Sequence, residues 1–550
     1  MTEFTILIGG EAGDGIAQSA ELVGEAFTAW GAWVFNYRSY MSLIRGGHSY
    51  NVISVSDEPI HSHRENPDVI IAFDERTLEN HEQDLAEEGF IIGNASLKTE
   101  GDFISLEVDE VVKELDIPKI MTNTVYLGAL FKSIGMELDP LLTILKEEFP
   151  DAYESNRKAA ERGYELVEEH KKLGIKKAEG KYFVTGSQAI GLGAIKSGLD
   201  VYVAYPMTPS TPVFHFLASK QEEYDFLVTQ AENEIAVANA ALGASYSGAM
   251  SMLGTSGGGF ALMSAMMSFQ GMSEIPLVAY LAQRPGPSVG MATRQAQGDL
   301  KFALNPAHGE FPKIVMAPGD AMEAYQKTPE LFYFSQKYRM LAILLGDKHV
   351  AESHFTYDEL LEPVVQPELN IEENPPEDLD AYELTETGVS RRAVPGQGPM
   401  VKANADEHLE RGYTTEESGI ATKMAEKRQK KMTSLQKELD KFETTKTYGE
   451  GKTLVIGWGS TKGAILDTLK ELSDVRYLQI LYLSPFPAEK VKKEIENAGK
   501  TVLVENNVTG LLGDVIREKT GIQLDRRILK YDGHPLTKEW LLPRLKEVVE

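Results

Sequence analysis

Short apolar runs alternate with helical patterns over the first 180 residues of the chain. A helix of small residues is predicted at 17–29, and the apolar runs lie at 5–10, 34–35, 52–55 and 69–73. Apolar runs of this length, bounded by turn residues, are typical of buried strands. Strands that alternate with helices indicate an α/β domain. A strongly charged helix at about 152–172 closes this region, and residues 176–181 have the composition of a linker.

A second α/β pattern runs from residue 182 to about residue 347, with apolar runs at 201–204, 277–281 and 343–345. Prolines among acidic residues at about 359–399 then predict an extended or loop segment rather than part of a core. After a charged helix, further apolar runs predict a third α/β unit, with strands at 453–456 and 501–504. The chain is therefore divided into four parts, at 1–178, 179–358, 359–450 and 451–550.

The charged helix, predicted at about 416–443, has a basic side. That side is formed by Lys423, Lys427, Arg428, Lys430 and Lys431. It could meet an acidic partner, but most charged helix faces of this kind lie in solvent. We therefore expect a solvated face.

The composition narrows the class of protein. A chain of 550 residues exceeds what one core usually serves and predicts three or four domains. The net charge of −28 argues against nucleic acid or an anionic membrane as the main partner. No run approaches the ~20 apolar residues of a membrane span, and the first residues show neither a basic start nor a cleavage site. We expect a cytoplasmic protein.

The chain contains no cysteine. Disulfides, a cysteine-ligated iron–sulfur cluster and a thiol nucleophile are therefore excluded within it. Any redox chemistry must be carried by a partner or by an organic cofactor.

The most informative stretch is Tyr-Pro-Met-Thr-Pro-Ser-Thr-Pro at 205–212, which directly succeeds an apolar run. A buried strand that ends in a proline-fixed turn presents threonine hydroxyls and backbone N–H groups at its carboxyl end. Open α/β sheets place their ligands there. Alone, such a turn is most often a structural device, so a functional interpretation needs similar turns at the neighbouring strand ends.

Two more strand-to-loop junctions occur further along the chain. Thr255-Ser-Gly-Gly-Gly comes after one apolar run, and Arg284-Pro-Gly-Pro-Ser comes after the next. An arginine at a strand's carboxyl end is well placed to form a fork onto a carboxylate. Because Thr208, Glu234, Thr255 and Arg284 stand at successive strand ends or helix starts, we expect them to converge in one crevice.

Glu232 and Glu234 precede a run of small residues at 235–245, which predicts a helix that a flat ring or another backbone can approach closely. A carboxylate buried at its start beside a planar cofactor would have a raised pKa from desolvation and could hold a proton against a ring nitrogen. The alternative is a pair of acidic residues favoured by the helix dipole. Spacing alone favours the helix-dipole alternative.

The glycines at 9, 10, 13 and 15 follow a strand and open a helix, the setting in which a helix start can cradle a phosphate. They do not have the spacing of the dinucleotide fingerprint. A metal loop with Asn36 as second ligand is a less favoured alternative to a tight turn near a ligand. Arg45 and His48 lie on a loop that could contact an anion or pack against a neighbouring subunit.

Taken together, these motifs resemble the 2-oxoacid:ferredoxin oxidoreductases over nearly the whole chain. Residues 205–211 are close to the family's Tyr-Pro-Ile-Thr-Pro-Ser signature, and the motifs at 231–245, 255–259 and 284–290 stand in the family's order. Residues 1–178 look like its gamma domain, fused ahead of an alpha subunit. The resemblance implies a pyrimidine-binding domain at 179–358, a linker and charged helix at 359–450, and a transketolase C-terminal-like domain II at 451–550, which includes Glu505-Asn506.

The resemblance implies an enzyme that decarboxylates a 2-oxoacid on thiamine diphosphate, reduces ferredoxin through a [4Fe–4S] cluster and delivers the acyl group to coenzyme A. Glu234 would be the catalytic residue, at the aminopyrimidine N1′, while Thr208 and Arg284 would bind the substrate carboxylate. No metal ligand is assigned in this chain. The cofactor-binding residues would be Glu234, Tyr205, Pro206, Thr255, Ser256 and Gly257.

In the family, a beta subunit binds the thiamine diphosphate–Mg²⁺ end and carries the cluster cysteines, which fits the lack of cysteine here. The resemblance therefore implies an enzyme active only with a beta subunit, in an (αβ)₂ hetero-oligomer that meets ferredoxin as a complex. Fusion of gamma and alpha without further domains favours 2-oxoglutarate over pyruvate. Met207, Gly258 and Val289 stand where the family usually has isoleucine, proline and threonine.

Two other functions stay open on the sequence alone. One is a non-redox thiamine diphosphate enzyme related to transketolase, which a cysteine-free partner would favour. The other is a regulatory or binding subunit with vestigial catalytic loops, against which the retained Glu234, Thr208 and Arg284 argue.

Overall fold

The computed structural model describes residues 3–43 and 46–549. It divides the chain into two compact units, each built from more than one segment. Unit 1 takes in Met1–Val184, Ser353–Leu360 and Thr537–Pro543, and unit 2 takes in Thr185–Glu352, Leu361–Leu536 and Arg544–Glu550. The predicted division at 178, 358 and 450 stays a prediction.

Twenty strands lie within the described residues. In chain order they are β1 Glu3–Glu11, β2 Trp33–Ser39, β3 His48–Ser56, β4 Val69–Ala72, β5 Phe90–Asn94, β6 Phe103–Leu106, β7 Tyr182–Thr185, β8 Val201–Ala204, β9 Leu227–Gln230, β10 Ser251–Ser256, β11 Leu277–Gln283, β12 Lys313–Met316, β13 Leu341–Asp347, β14 His354–Tyr357, β15 Thr445–Tyr448, β16 Thr453–Trp458, β17 Val475–Ile480, β18 Tyr482–Ser484, β19 Lys500–Glu505 and β20 Arg526–Leu529.

The same part of the chain contains nineteen α-helices. They are α1 Ile16–Trp30, α2 Glu75–His81, α3 Val108–Leu115, α4 Thr122–Ser133, α5 Asp139–Glu148, α6 Tyr153–Glu165, α7 Gly186–Lys196, α8 Thr211–Tyr224, α9 Glu234–Tyr246, α10 Gly257–Leu262, α11 Ser264–Ser273, α12 Leu300–Leu304, α13 Ala321–Tyr338, α14 Lys348–Glu352, α15 Ser418–Glu438, α16 Thr461–Leu469, α17 Ala488–Glu496, α18 Leu511–Thr520 and α19 Lys538–Val549. The multi-domain α/β class predicted from the sequence is confirmed.

Unit 1 is built on an eight-stranded mixed sheet with the order β6-β5-β4-β1-β3-β2-β14-β7. β1 pairs parallel with β4 and antiparallel with β3. The buried apolar residues of this sheet pack with those of helices α1, α3 and α4 into one hydrophobic core. The helix predicted at 152–172 ends at Glu165, because the N–H groups of His170, Lys171 and Leu173 bond instead to carbonyls at the end of α4.

Unit 2 contains a seven-stranded sheet, β18-β12-β13-β11-β10-β8-β9, and a five-stranded sheet, β15-β17-β16-β19-β20. Every residue of β10, β11 and β13 is buried, as expected for parallel strands covered on both faces. One hydrophobic core runs through both sheets, from Val203 to Leu524. β18 pairs with β12, so the chain after residue 451 also contributes to the larger sheet.

Residues 361–417, called the strap, contain no strand or helix among those described, and they include most of the loop segment predicted at about 359–399. The expectation that they lie outside a core is wrong. Ala381 and Tyr382 are buried and pack with Met424 of α15. The Tyr382 hydroxyl donates to the Lys402 carbonyl (2.6 Å), and the buried Arg392 guanidinium donates to Gln336 Oε1 (2.9 Å). Polar groups satisfied in this way let an irregular, proline-rich segment be buried.

None of the helices in the described part of the chain combines the length and apolar character needed to cross a membrane.

Candidate functional site

Three parallel strands of unit 2 end together at one edge of the seven-stranded sheet. β10 lies between β8 and β11, with Gly254 opposite Ala204 and Ser256 opposite Ala282. The loops after these strands are the three that the sequence singled out. The carboxyl edge of an open parallel sheet is where such folds bind ligands.

A cleft of about 460 Å³ opens at this edge. It brings together three residues predicted to belong to a site, Ser256, Gly257 and Arg284. Val289 and Asp299 also line it.

Arg284 and Thr208 meet as expected, although through the backbone of Thr208. The Arg284 guanidinium donates from Nη1 to the Thr208 carbonyl (2.8 Å). This bond fixes the direction of the guanidinium and leaves its other N–H groups for a ligand. Burial lowers the pKa of Arg284, and the nearby Asp299 charge opposes that effect.

Asp299 is a cleft residue that the sequence analysis missed. Burial raises the pKa of this carboxyl to about 6, with the Arg284 charge opposing the rise. Its side chain lies against Gly257, where an added Cβ would come within 2.6 Å of Oδ2. The only local signal was a Gly-Asp pair directly before the short apolar helix α12.

Glu234 is the first residue of α9 and only 5 % exposed. The preceding Asn233 caps the helix by accepting from the Ala236 N–H (3.0 Å), which frees Glu234 from a capping role. Among the ion pairs of the described residues, none involves the Glu234 carboxylate. Glu232, in contrast, is exposed. Burial therefore distinguishes Glu234 from Glu232, which the sequence spacing did not.

Glu234 adjoins residues 255–259, where β10 ends and α10 begins. A Cβ at Gly259 would lie 2.8 Å from Glu234 Oε1, so only glycine leaves this space open. Thr255 and Ser256 are fully buried. Within the described chain, Ser256 Oγ has no hydrogen-bond partner.

These features fit a thiamine ring. A buried hydroxyl without a partner lines the cleft, Gly258 has open space beside it, and an unpaired carboxylate adjoins the same loop. Tyr205 and Pro206, also predicted to contact the cofactor, are exposed and are not among the residues that line the cleft. Their role stays a prediction.

A separate cavity of about 490 Å³ lies in unit 1, lined by Gly13, Asp14 and Asn123 among others. Asn123 Nδ2 donates to the Asp14 carbonyl (2.6 Å) and so holds the glycine loop. Asn36, the alternative metal ligand, instead accepts from Asn51 Nδ2 (2.9 Å). Across residues 3–43 and 46–549, no group of three or more potential ligands could hold a metal ion.

The loop at 45–48 is only partly described. Arg45 lies outside the described residues. His48 Nε2 lies 2.8 Å from His81 Nε2, and burial lowers the pKa of both rings to about 4. The two imidazoles are therefore neutral at neutral pH and share a hydrogen bond.

The expected solvated face of α15 is wrong for three of its five basic residues. Lys427, Arg428 and Lys431 are buried. Lys427 Nζ lies 2.6 Å from Glu274 Oε1, and Arg428 donates to both carboxylate oxygens of Glu407. The acidic partners belong to the same chain.

Fold and cleft define a multi-domain α/β protein with a ligand-sized crevice at the carboxyl edge of a parallel sheet. The family model described as "Pyruvate flavodoxin/ferredoxin oxidoreductase, thiamine diP-bdg" matches residues 192–432. A second, "Pyruvate ferredoxin/flavodoxin oxidoreductase", matches residues 5–166.

Relatives of known name match over the full length. The 2-oxoacid:ferredoxin oxidoreductase subunit alpha of Sulfolobus sp is 30 % identical over 99 % of this chain and 96 % of its own. Its counterpart from Sulfurisphaera tokodaii is also 30 % identical, over 99 % and 97 %. The solved 2-oxoglutarate:ferredoxin oxidoreductase from Magnetococcus marinus, with 2-oxoglutarate, coenzyme A and succinyl-CoA bound, superposes with a TM-score of 0.90 at 27 % identity, covering 100 % of both chains.

The chain belongs to the 2-oxoacid:ferredoxin oxidoreductase alpha-subunit family. The enzyme class and the family expected from the sequence are confirmed.

Proposed function

We propose that this subunit serves the oxidative decarboxylation of 2-oxoglutarate. In that reaction a 2-oxoacid, coenzyme A and two oxidised ferredoxins yield acyl-CoA, CO₂, a proton and two reduced ferredoxins. The observation that carries the proposal is the cleft in which Arg284 and the partnerless Ser256 meet, next to the unpaired carboxylate of Glu234. The Magnetococcus marinus enzyme, similar over its full length, has 2-oxoglutarate bound and supports this choice of acid.

Thiamine diphosphate, when bound, supplies the chemistry that cleaves the bond between the keto carbon and the carboxylate. Glu234 would hold a proton against a nitrogen of its ring, and its burial beside Gly259 supports that role. Ser256, Gly257 and the open backbone at Gly258 would contact the same cofactor.

Arg284 would bind the substrate carboxylate with the N–H groups that its bond to Thr208 leaves free. Thr208 would act by its hydroxyl and by holding the guanidinium in place. Replacing Arg284 by alanine is expected to raise KM for the oxoacid ~10- to 100-fold, since ~1.5–3 kcal/mol of charge-assisted hydrogen bonding is lost. An unchanged KM would remove this role.

The remaining components must come from other molecules. Because the chain has no cysteine, a [4Fe–4S] cluster would belong to a beta subunit, which would also hold the Mg²⁺ and the diphosphate. Ferredoxin would dock on that subunit, in an (αβ)₂ complex of the cytoplasm. Residues 1–178 would form the gamma domain, 179–358 the pyrimidine-binding domain and 451–550 domain II, with the linker and charged helix between the last two.

The test is oxoacid-dependent viologen reduction by the complex, purified anaerobically from its native host with coenzyme A and thiamine diphosphate supplied. Reduction that requires coenzyme A and prefers 2-oxoglutarate to pyruvate is the expected result. A preference for pyruvate would correct the substrate. No reduction with any oxoacid, from a complex shown to contain its partner and cluster, would favour the non-redox or regulatory alternatives.

A further inference from the structure

Residues 284–299, called the cleft segment, connect β11 to α12 without a strand or helix among the described residues. Both of its ends line the cleft, Arg284 at the start and Asp299 at the finish. Gln283 closes its base, because its Oε1 accepts from the Asp299 N–H (3.0 Å) and its Nε2 donates to the Gly346 carbonyl (3.1 Å). The segment is therefore a closed loop whose two functional ends are held together.

Two residues before its Asp299 end, this loop is held by Gln297, which has no exposed surface (0 %). Its side chain donates from Nε2 to the Trp458 carbonyl (2.9 Å) and accepts at Oε1 from the Asn506 N–H (3.0 Å). Its backbone N–H donates to the Asn506 carbonyl (2.7 Å), and its carbonyl accepts from Asn507 Nδ2 (3.1 Å). Four hydrogen bonds thus join one residue to two loops of the five-stranded sheet.

Those two loops come after β16 and β19, which are parallel neighbours. Gln297 therefore occupies the carboxyl edge of the second sheet, the place where an open α/β sheet ordinarily receives a ligand. A glycine after β16 leaves room for the Gln297 side chain. Gly459 has a positive φ of 55°, and a Cβ there would lie 2.8 Å from Gln297 Nε2.

A buried carboxylate stiffens this edge. Glu505 Oε1 accepts from Trp458 Nε1 (2.8 Å) and from Asn507 Nδ2 (2.9 Å), so the two loops that hold Gln297 are bonded to one group. Glu505 also accepts from the Leu512 N–H (3.0 Å), which ties it to the start of α18. The groups that hold Gln297 are thereby also bonded to one another, independently of the cleft segment.

We propose that Gln297 is a positioning residue for substrate binding: by occupying the carboxyl edge of the five-stranded sheet, it holds the cleft segment so that Arg284 stays in the cleft. The inference rests on the proposed function, in which Arg284 binds the oxoacid carboxylate. It gives the 451–550 region a part in the active site, although none of the region's described residues lines the cleft.

The first test is Gln297→Ala in the complete complex, with Gln479→Ala as the matched control. Gln479 is equally buried (0 %) and bonded on both sides, to Glu323 and Tyr448, but it lies on β17 and has no hydrogen bond to the cleft segment among the described residues. Both variants lose buried hydrogen bonds and stability. Only Gln297→Ala is expected to raise KM for the oxoacid, about tenfold, with kcat within about twofold.

A double variant separates positioning from general damage. If Gln297 acts through Arg284, Gln297→Ala adds nothing to the KM of Arg284→Ala, because the two effects are not independent. Additive effects on KM, or equal effects of Gln297→Ala and Gln479→Ala, would overturn the inference. Arg284→Ala with an unchanged KM would instead contradict the proposed function, so the two failures are distinguishable.

Gly459→Ala tests the same contact from the other side, without changing the sequence of the cleft segment. The added methyl pushes on Gln297 Nε2, so KM is expected to rise in the same direction. Hydrogen exchange gives a readout that does not need turnover. The backbone N–H groups at positions 297 and 299 should exchange faster in Gln297→Ala and Gly459→Ala, and not in Gln479→Ala. Unchanged exchange of these amides in both variants would contradict the proposal.

Discussion

Two buried glutamates of unit 2 have opposite surroundings. Glu234 is 5 % exposed and lies beside the cleft with no ion-pair partner among the described residues. Glu274 is 1 % exposed, and Lys427 and Lys431 contact its two oxygens. Arg339 adds a bond from Nε to the Glu274 carbonyl (3.1 Å).

The two carboxylates differ in the charged groups that surround them. Burial alone would raise the pKa of Glu274, but Lys431, Lys427 and Arg339 hold it well below its usual range. Burial also lowers the pKa of Lys431 to about 7, against the pull of Glu274. Glu274 is held as an anion and links the end of α11 to α15. A buried carboxylate without a cation partner is not needed to neutralise a buried charge, so the partners of a buried acid distinguish a structural group from a functional candidate.

The largest effect is expected from Glu234→Gln. The amide keeps the shape of the side chain but cannot accept a proton, so kcat should fall ~10²- to 10⁴-fold while the complex still assembles. Steady-state viologen reduction measures it, with size-exclusion chromatography to show assembly. The exposed Glu232→Gln is the matched control and should keep its turnover. Normal turnover of Glu234→Gln would refute its role.

Glu274→Gln should act on stability and not on chemistry. It leaves Lys427 and Lys431 buried without their anion, which is expected to lower the free energy of unfolding by ~3–5 kcal/mol. Urea unfolding of the purified chain measures this loss, and the exposed Glu416→Gln serves as the control. Equal urea midpoints for Glu274→Gln and the unaltered chain would mean that the ion pairs of Glu274 do not stabilise the fold.

Asp299 should make substrate binding depend on pH. Its pKa of about 6 means that the carboxyl becomes an anion as pH rises through about 6, and that anion then competes for Arg284. KM for the oxoacid should rise over this range, and Asp299→Asn should lower KM at pH 7.5 about threefold to tenfold and flatten the profile. Because the pKa is raised on folding, the associated stability is present below about pH 4 and is lost as pH rises through about 6. A pH profile of KM that Asp299→Asn leaves unaltered would contradict this.

The smallest effect is expected from Val289→Thr. Val289 lines the cleft and is 64 % exposed, and a hydroxyl there could donate to a bound carboxylate. A gain of ~0.5–1 kcal/mol would lower KM about twofold to fivefold. Val508→Thr, at an equally exposed valine (65 %), is the control. If both variants behave alike, the gain does not come from the cleft.

Much of the cleft could be predicted because strand ends are visible in sequence. Ser256 and Arg284 each stand at or just after the end of an apolar run, and parallel strands bring such ends to one edge. The observed β8 has the predicted bounds, 201–204. This logic could not give Asp299, which reaches the cleft only because the irregular cleft segment folds back onto Gln283.

The buried ion pairs of Glu274 with Lys427 and Lys431 could not be predicted, because these residues lie far apart in the chain. Glu274 and Lys427 are 153 residues apart, and nothing local marks either as buried. Lysines four residues apart on a helix normally indicate a solvated face. Burial of the proline-rich strap likewise depends on long-range bonds, such as that from Arg392 to Gln336, which composition does not show.

The most direct test of the account compares turnover per mole of assembled complex for Glu234→Gln and Glu274→Gln in one preparation, with 2-oxoglutarate and coenzyme A. The account predicts that Glu234→Gln assembles normally and turns over at least ~100-fold more slowly, while folded Glu274→Gln complex retains its turnover. The reverse pattern, with a fully active Glu234→Gln and an inactive but folded Glu274→Gln, would contradict it.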